Sequence, residues 1–129
     1  MTKDFFIAST KSTPEVSFSA QDRAIKFKGR SNTENPLTFY QPVFDLLNEC
    51  KECHAEDITM EFRISYMNTT SSKFIYAMLK SAAEMERGGT KVSAKWYYEP
   101  DDEDSFEVGE DLSKASQLKF DFIESEIND

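Results

Sequence analysis

The chain has 129 residues, 39% of them apolar and 30% charged, which suits one domain with its own core. Its formal net charge is −9 and its 15 Lys and Arg residues form no run, which argues against nucleic-acid binding and permits a basic protein partner. No segment approaches the ~20 apolar residues of a membrane span, and no export signal follows Met1, so we predict one cytoplasmic domain over residues 1–129, without membrane insertion.

The first part of the chain predicts strands. Residues 4–7 could form a short first strand. Residues 16–18 and 24–28 alternate apolar and polar side chains with the period of two of half-buried strands, and residues 20–22 between them predict a hairpin turn. Residues 29–36 are rich in turn-forming residues and predict a loop.

Helical spacing begins after this loop. Apolar side chains recur every three or four residues from Leu37 to about Cys50, which predicts a helix. Pro42 falls inside the pattern, and we expect it within the first two turns, where its missing N–H costs least. Residues 57–66 are the clearest strand, because every second side chain, up to and including Tyr66, is apolar and is expected to face one side.

The remaining elements continue the alternation of helix and strand. We predict a helix over 73–87 that ends at Gly88-Gly89, a strand over 91–98, an acidic loop over 99–104, a weaker helix over 105–116 and a last strand over 118–123. Repeated strand–helix–strand order favours a parallel or mixed sheet covered by helices. The sequence therefore predicts an α/β fold.

One motif near the middle of the chain suggests haem. Cys50-Lys51-Glu52-Cys53-His54 matches the pattern of covalent haem attachment. No export signal accompanies it, a zinc site would need a fourth ligand that no other Cys or His of the chain supplies, and a redox pair normally precedes a helix. We interpret Cys50, Cys53 and His54 as a helix end with two free thiols; a metal or redox role is the alternative, and a visible spectrum tests for haem.

An aromatic and acidic segment runs from Trp96 to Asp104. Aromatic residues are common interface anchors, and acidic residues steer a basic partner, so the segment is a candidate docking surface with Trp96 and Tyr98 as contacts. The competing interpretation is a solvated loop that caps the next helix. The spacing lacks the glycine and glutamate positions of an EF-hand calcium loop.

The segment Asn68-Thr69-Thr70-Ser71-Ser72-Lys73 holds four hydroxyl groups in a row. One of them suffices to cap a helix. A phosphate at this place would meet the helix N-terminus and add about −1.5 to −2 charges. Because partners often bind at the carboxyl ends of strands, the segment predicts a phosphorylation switch whose partner contacts are Asn68, Thr70, Ser71, Ser72 and Lys73.

The chain resembles the SiaC-type regulatory phosphoproteins of bacteria over about residues 7–123. The resemblance is carried by Ser12-Thr13-Pro14-Glu15-Val16, Gly29-Arg30-Ser31, Glu34-Asn35, Phe39-Tyr40-Gln41-Pro42, Tyr66 to Lys73, Gly88-Gly89 and Trp96-Tyr97-Tyr98-Glu99. It implies a single STAS-like domain with a mixed β-sheet and helices packed on it, no catalysis and no cofactor. It also implies a threonine phosphorylated by a dedicated Ser/Thr kinase and dephosphorylated by a PP2C-type phosphatase.

In that family the unmodified form binds and activates a diguanylate cyclase, which raises cyclic di-GMP and biofilm formation. The acceptor follows the Asn of the motif, so the resemblance places it at Thr69, with Thr70 as the alternative. Asn32-Thr33 departs from the Tyr-Pro usual in the family, and the Cys-x-x-Cys-His motif is not part of its pattern. An enzyme is disfavoured by the single His and the lack of a phosphate-binding loop, and the alternative function is an anti-sigma-factor-antagonist-like module with another target.

Overall fold

Six strands and three helices build the part of the chain that the computed structural model describes, residues 3–127. The strands form one mixed sheet whose spatial order is their order in the chain. The elements are β1 (Phe5–Ile7), β2 (Glu15–Ser19), β3 (Ala24–Ser31), α1 (Pro36–Glu52), β4 (Asp57–Met67), α2 (Thr69–Arg87), β5 (Lys91–Tyr98), α3 (Glu103–Ser116) and β6 (Phe120–Glu124).

The sheet changes character along its width. Strands β1, β2 and β3 pair antiparallel, and β3, β4, β5 and β6 pair parallel. Each parallel connection passes through one helix to the neighbouring strand. Since such crossovers are right-handed, all three helices lie on one face of the sheet, where α1 packs against α2 and α2 against α3. The helices therefore begin together at one edge of the sheet, called the carboxyl edge here, where β3, β4 and β5 end.

The core lies between the sheet and the helices. In β4 the alternation predicted from the sequence buries Ile58, Met60, Phe62 and Ile64. The Phe62 ring stacks on Phe27 of β3, with centroids 4.8 Å apart, and lies 5.7 Å from the Trp96 ring of β5. The largest fully buried side chains of the helices are Tyr40, Leu46, Leu47, Ile75, Met78 and Leu79.

The opposite face of the sheet is polar. The Arg63 guanidinium lies 3.7 Å from the centre of the Tyr97 ring, and Tyr97 Oη donates a hydrogen bond to Glu61, at 3.2 Å. Helices hide only one face, so the strands of the parallel half alternate apolar and polar residues as a half-covered sheet requires.

The predicted α/β architecture is confirmed, and the main differences concern element ends. Strand β3 continues to Ser31, which is buried, so the predicted loop over 29–36 is shorter; Gly29, with a φ of 119°, lies where the register shifts at a bulge in β4. Helix α2 begins at Thr69, four residues earlier than predicted. Pro42 lies within the first two turns of α1, as predicted. No helix within residues 3–127 is long and apolar enough to cross a membrane.

Candidate functional site

The hydroxyl segment forms the first turn of α2 rather than a loop before it. Asn68 is the N-cap residue: its Oδ1 accepts a hydrogen bond from Ser71 N, at 2.8 Å, and its carbonyl accepts one from Ser72 N, at 3.0 Å. The side-chain bond satisfies the Ser71 N–H group, which the helix start leaves free, and the bond from Ser72 N is the first i→i−4 bond of the helix. The cap predicted from one of the Thr or Ser hydroxyl groups is therefore wrong: the capping residue is Asn68, and the four hydroxyl residues lie inside the helix.

The loop after β3 holds Asn68 in place. Asn68 N donates to Ser31 O, at 2.9 Å, and its side-chain amide donates to Asn32 Oδ1, at 3.1 Å, and to Thr33 O, at 3.4 Å. Behind this loop, the Ser31 and Tyr40 hydroxyl groups form a buried hydrogen bond of 2.6 Å. Motif residues that are far apart in the sequence thus converge on the start of α2.

The four hydroxyl residues differ in exposure. Thr69 and Thr70 are exposed, so a kinase could reach either of them. Ser72 is half-buried and donates to Thr69 O, at 2.7 Å. Ser71 is completely buried, so its side chain does not lie on the surface where we predicted a partner contact. Lys73 is exposed and lies one helical turn beyond Thr69.

Tyr66 reaches the surface beside this turn, which the sequence did not indicate. Ile64 pairs with Gly29 and Tyr66 with Arg30, so β4 carries an extra residue, Ser65, at this point. The bulge ends the alternation, and the Tyr66 side chain is 45% exposed instead of facing the core. The Arg30 guanidinium covers its ring at 4.9 Å.

A cleft of about 250 Å³ separates the end of β4 from the first turns of α3. Helix α3 starts as α2 does, because Asp102 Oδ1 accepts a hydrogen bond from Ser105 N, at 2.9 Å. Trp96 Nε1 donates to Ser105 O, at 3.0 Å, which ties the helix to β5. The residues that line the cleft are Ile64, Ser65, Tyr66, Met67, Trp96, Asp102, Asp104, Ser105 and Val108.

The two aromatic residues predicted as partner contacts have different surroundings. The Trp96 side chain is only 1% exposed and belongs to the core, which corrects its assignment as a surface anchor. Tyr98 is half-buried, with its ring centre 5.0 Å from that of Phe106. The acidic segment contains the helix cap that the competing interpretation expects, since Asp102 is the N-cap of α3.

The Cys-x-x-Cys-His motif lies at the C-terminus of α1, on the edge of the sheet opposite the hydroxyl segment. Cys50 is buried, and burial raises the pKa of its thiol; Cys53 is exposed. His54 has a φ of 53° just after the helix. Among residues 3–127, no group of three or more His, Cys, Asp or Glu side chains is placed to hold a metal ion.

The comparisons with known proteins agree in one family. The model of the SiaC family of regulatory phosphoproteins matches residues 7–125. An uncharacterised protein of Pseudomonas aeruginosa strain UCBPP-PA14 is 26% identical over 117 residues, which is 91% of this chain and 93% of that protein.

Solved structures of Pseudomonas aeruginosa SiaC have the same fold. Apo-SiaC is 25% identical, with a TM-score of 0.86 over 95% of this chain and 99% of that one. SiaC bound as activator to the diguanylate cyclase SiaD is 26% identical, with a TM-score of 0.85 over 95% of this chain and 100% of that one.

Proposed function

Because the chain belongs to the SiaC family of regulatory phosphoproteins, we propose that it is a non-catalytic, protein-binding switch controlled by phosphorylation of Thr69. The observation that carries this proposal is the exposed hydroxyl of Thr69 at the first position of a helix whose start is held rigidly by Asn68. Thr70 is the alternative acceptor, since it is also exposed.

A phosphate on Thr69 is expected to affect folding stability and partner binding differently. The N-terminus of α2 carries roughly half a positive charge, so a phosphate of about −1.5 to −2 charges is compatible with the fold. The same charge would have to be desolvated if a partner covered this turn. Modification is thus expected to change partner binding far more than stability.

The activator role of a solved relative suggests the partner. SiaC of Pseudomonas aeruginosa forms a complex with a diguanylate cyclase. We propose that the unphosphorylated chain likewise binds and activates a diguanylate cyclase in the cytoplasm, raising cyclic di-GMP and favouring biofilm formation. A dedicated Ser/Thr kinase would add the phosphate and a PP2C-type phosphatase would remove it.

The proposed contact surface combines the first turn of α2 with the loop before α3. Its exposed or half-buried members are Asn68, Thr69, Thr70, Ser72, Lys73 and Tyr98. Ser71 and Trp96 are buried behind them and would support the surface without contacting the partner. The switch requires no cofactor.

Mass spectrometry of the protein from its native cells, with and without phosphatase treatment, tests the modification. We expect one phosphate on Thr69; phosphate on Thr70 alone would keep the mechanism and move the site. No phosphate under any growth condition, together with normal partner binding by Thr69→Asp, would reject the switch.

Calorimetry with the diguanylate cyclase encoded in the same genome tests the consequence. A complete switch requires affinities for the two states that differ by roughly 10⁴-fold, about 5.5 kcal/mol. We expect Thr69→Asp to reproduce part of this difference and weaken binding at least 100-fold, and Thr69→Ala to bind normally. Thr38→Asp is the matched control, because Thr38 is exposed in the first turn of α1 at the same edge. If neither the wild type nor Thr69→Ala binds the cyclase, the target is another protein, as for an anti-sigma-factor antagonist.

A further inference from the structure

Two of the exposed large apolar side chains line one cleft. Four large apolar residues are exposed among residues 3–127, and only Phe6 lies in the antiparallel part of the sheet. Leu37 opens α1 at the carboxyl edge, and Tyr66 and Val108 line the cleft between β4 and α3. Because Tyr66 and Val108 line the same cleft, the cleft is a candidate contact surface.

The cleft is too small for a typical ligand. Its volume of about 250 Å³ is below the ~300–1,000 Å³ of most small-molecule sites. Ile64 and Trp96 form its buried base, and Tyr66 and Val108 form part of its rim. It therefore suits one or two side chains of a protein segment.

The lining of the cleft includes two carboxylates and no Lys or Arg; the Arg30 guanidinium lies over the Tyr66 ring but is not part of this lining. A helix N-terminus alone would carry about +0.5 of a charge. Here Asp102 caps the helix and Asp104 lies in its first turn, and both line the cleft. The segment 99–111 contains eight acidic residues and no Lys or Arg. The negative charge of the two carboxylates exceeds the partial positive charge of the helix N-terminus, so the cleft favours a cationic group.

We propose that this cleft binds a segment of a protein partner in which an arginine or lysine stands beside an apolar side chain. The apolar group would contact Tyr66 and Val108, and the cation would meet Asp102 and Asp104. Tyr66 is only three residues from Thr69, so the cleft would extend the contact surface of the switch. The proposal rests on the proposed function in one respect: it assigns this segment to the partner of the switch.

Three small probes of nearly equal shape test the chemistry without any partner. Benzamidinium, benzamide and benzoate differ mainly in charge, and two-dimensional NMR of this 129-residue protein follows each residue separately. We expect shift changes at Ile64, Tyr66, Trp96 and Val108, largest for benzamidinium and smallest for benzoate, and weaker at high salt. Equal shifts for all three probes, or shifts centred elsewhere, would overturn the proposal.

A pair of charge variants locates the cation. Asp102→Asn keeps the oxygen that caps α3, so Asp102→Asn/Asp104→Asn removes two charges without removing the cap. We expect it to weaken benzamidinium binding about fivefold. The control Asp111→Asn/Asp121→Asn removes two exposed carboxylates outside the cleft and should leave binding unchanged. Equal effects of the two pairs would mean that general charge, not the cleft, attracts the probe.

A partner-binding comparison separates this proposal from the switch. Val108→Arg puts a cation at the rim of the cleft and should weaken cyclase binding at least tenfold, and Phe6→Arg, remote on β1, should not. Loss of binding by Thr69→Asp with normal binding by Val108→Arg would reject the cleft and keep the switch. The reverse pattern would reject the switch and keep the cleft.

Discussion

Ser71 and Ser105 occupy equivalent places, three residues after the N-caps of α2 and α3. The backbone N–H of each is bonded by its cap, but both hydroxyl oxygens are buried without a hydrogen-bond partner among residues 3–127. A buried hydroxyl without a partner costs free energy, whereas a small side chain at this position packs well. Ser71 is therefore a packing residue, two positions after Thr69, the proposed phosphate acceptor.

Replacing Ser71 by Ala tests this role. We expect the free energy of unfolding to stay equal or rise by up to about 1 kcal/mol, because the unpaired hydroxyl disappears and Ala favours helix. Ser116→Ala makes the same chemical change where the hydroxyl donates to Leu112 O, at 2.7 Å, and should lower stability by about 1–2 kcal/mol. Denaturant unfolding measures both, and a similar loss in Ser71→Ala would contradict the packing role.

Asn68 uses both ends of its amide, and two substitutions separate them. Asn68→Asp keeps the acceptor that caps α2 but loses the donor to Asn32 and Thr33. Asn68→Ala loses both, so we expect unfolding free energies in the order wild type, Asp, Ala, with Ala about 1–2 kcal/mol below wild type. Hydrogen exchange of residues 32–35 should rise in both variants. Unchanged exchange in Asn68→Asp would show that Asn68 does not anchor the loop.

At the element scale, the docking of α3 on the sheet depends on a close approach at Gly109. A Cβ atom there would lie 2.7 Å from Trp96 Nε1 and 2.9 Å from Phe122 Cε1, too close for either ring. The absence of a side chain lets the helix approach β5 and β6, where Trp96 Nε1 bonds to Ser105 O.

Gly109→Ala should therefore lower stability despite the better helix propensity of Ala. Overpacking costs about 1–3 kcal/mol and Ala returns up to about 1, so we expect a net loss of about 1–2 kcal/mol and a shift in Trp96 fluorescence. Gly88→Ala is the control: Gly88 has a negative φ, and the nearest atom to its new Cβ would be 3.4 Å away. Its stability should change by less than that of Gly109→Ala. Unchanged fluorescence and stability in Gly109→Ala would show that α3 shifts freely on the sheet.

At the scale of the whole molecule, one tyrosine couples alkaline pH to folding. Burial raises the pKa of Tyr40 from 10.0 to about 12, although its hydrogen bond with Ser31 acts in the opposite direction. The unfolded chain thus loses this proton first, so stability is fully present below pH 10 and falls as the pH rises toward 12.

The expected loss over this pH range is about 2–3 kcal/mol from Tyr40 alone. The double variant Tyr40→Phe/Ser31→Ala removes both hydroxyl groups of the buried hydrogen bond. Over the same pH range its unfolding free energy should therefore fall by about 2–3 kcal/mol less than that of the wild type. Denaturant unfolding at several pH values measures the difference. Equal pH dependence of wild type and variant would mean that Tyr40 ionises at its ordinary pKa in the folded protein.

Local sequence patterns were enough to predict the main helices and strands and the family. The alternation over residues 57–66 and 91–98 follows directly from burying one face of a sheet, and the strand–helix order implies parallel pairing. The motif from Tyr66 to Lys73 carried the resemblance that the family match confirms. Asn, Ser and Thr are all good N-cap residues, so any residue of this run could have begun the helix, and the sequence alone did not place the start of α2.

Which side chains are exposed to a partner depends on tertiary packing, which the local patterns do not show. Trp96 and Tyr98 look alike in the sequence, but α3 crosses β5 at Gly109 and buries Trp96. Tyr66 continues an apolar pattern, but a bulge between strands 35 residues apart exposes it. Burial at such places depends on how distant segments pack, and a local pattern records only which residues could be buried.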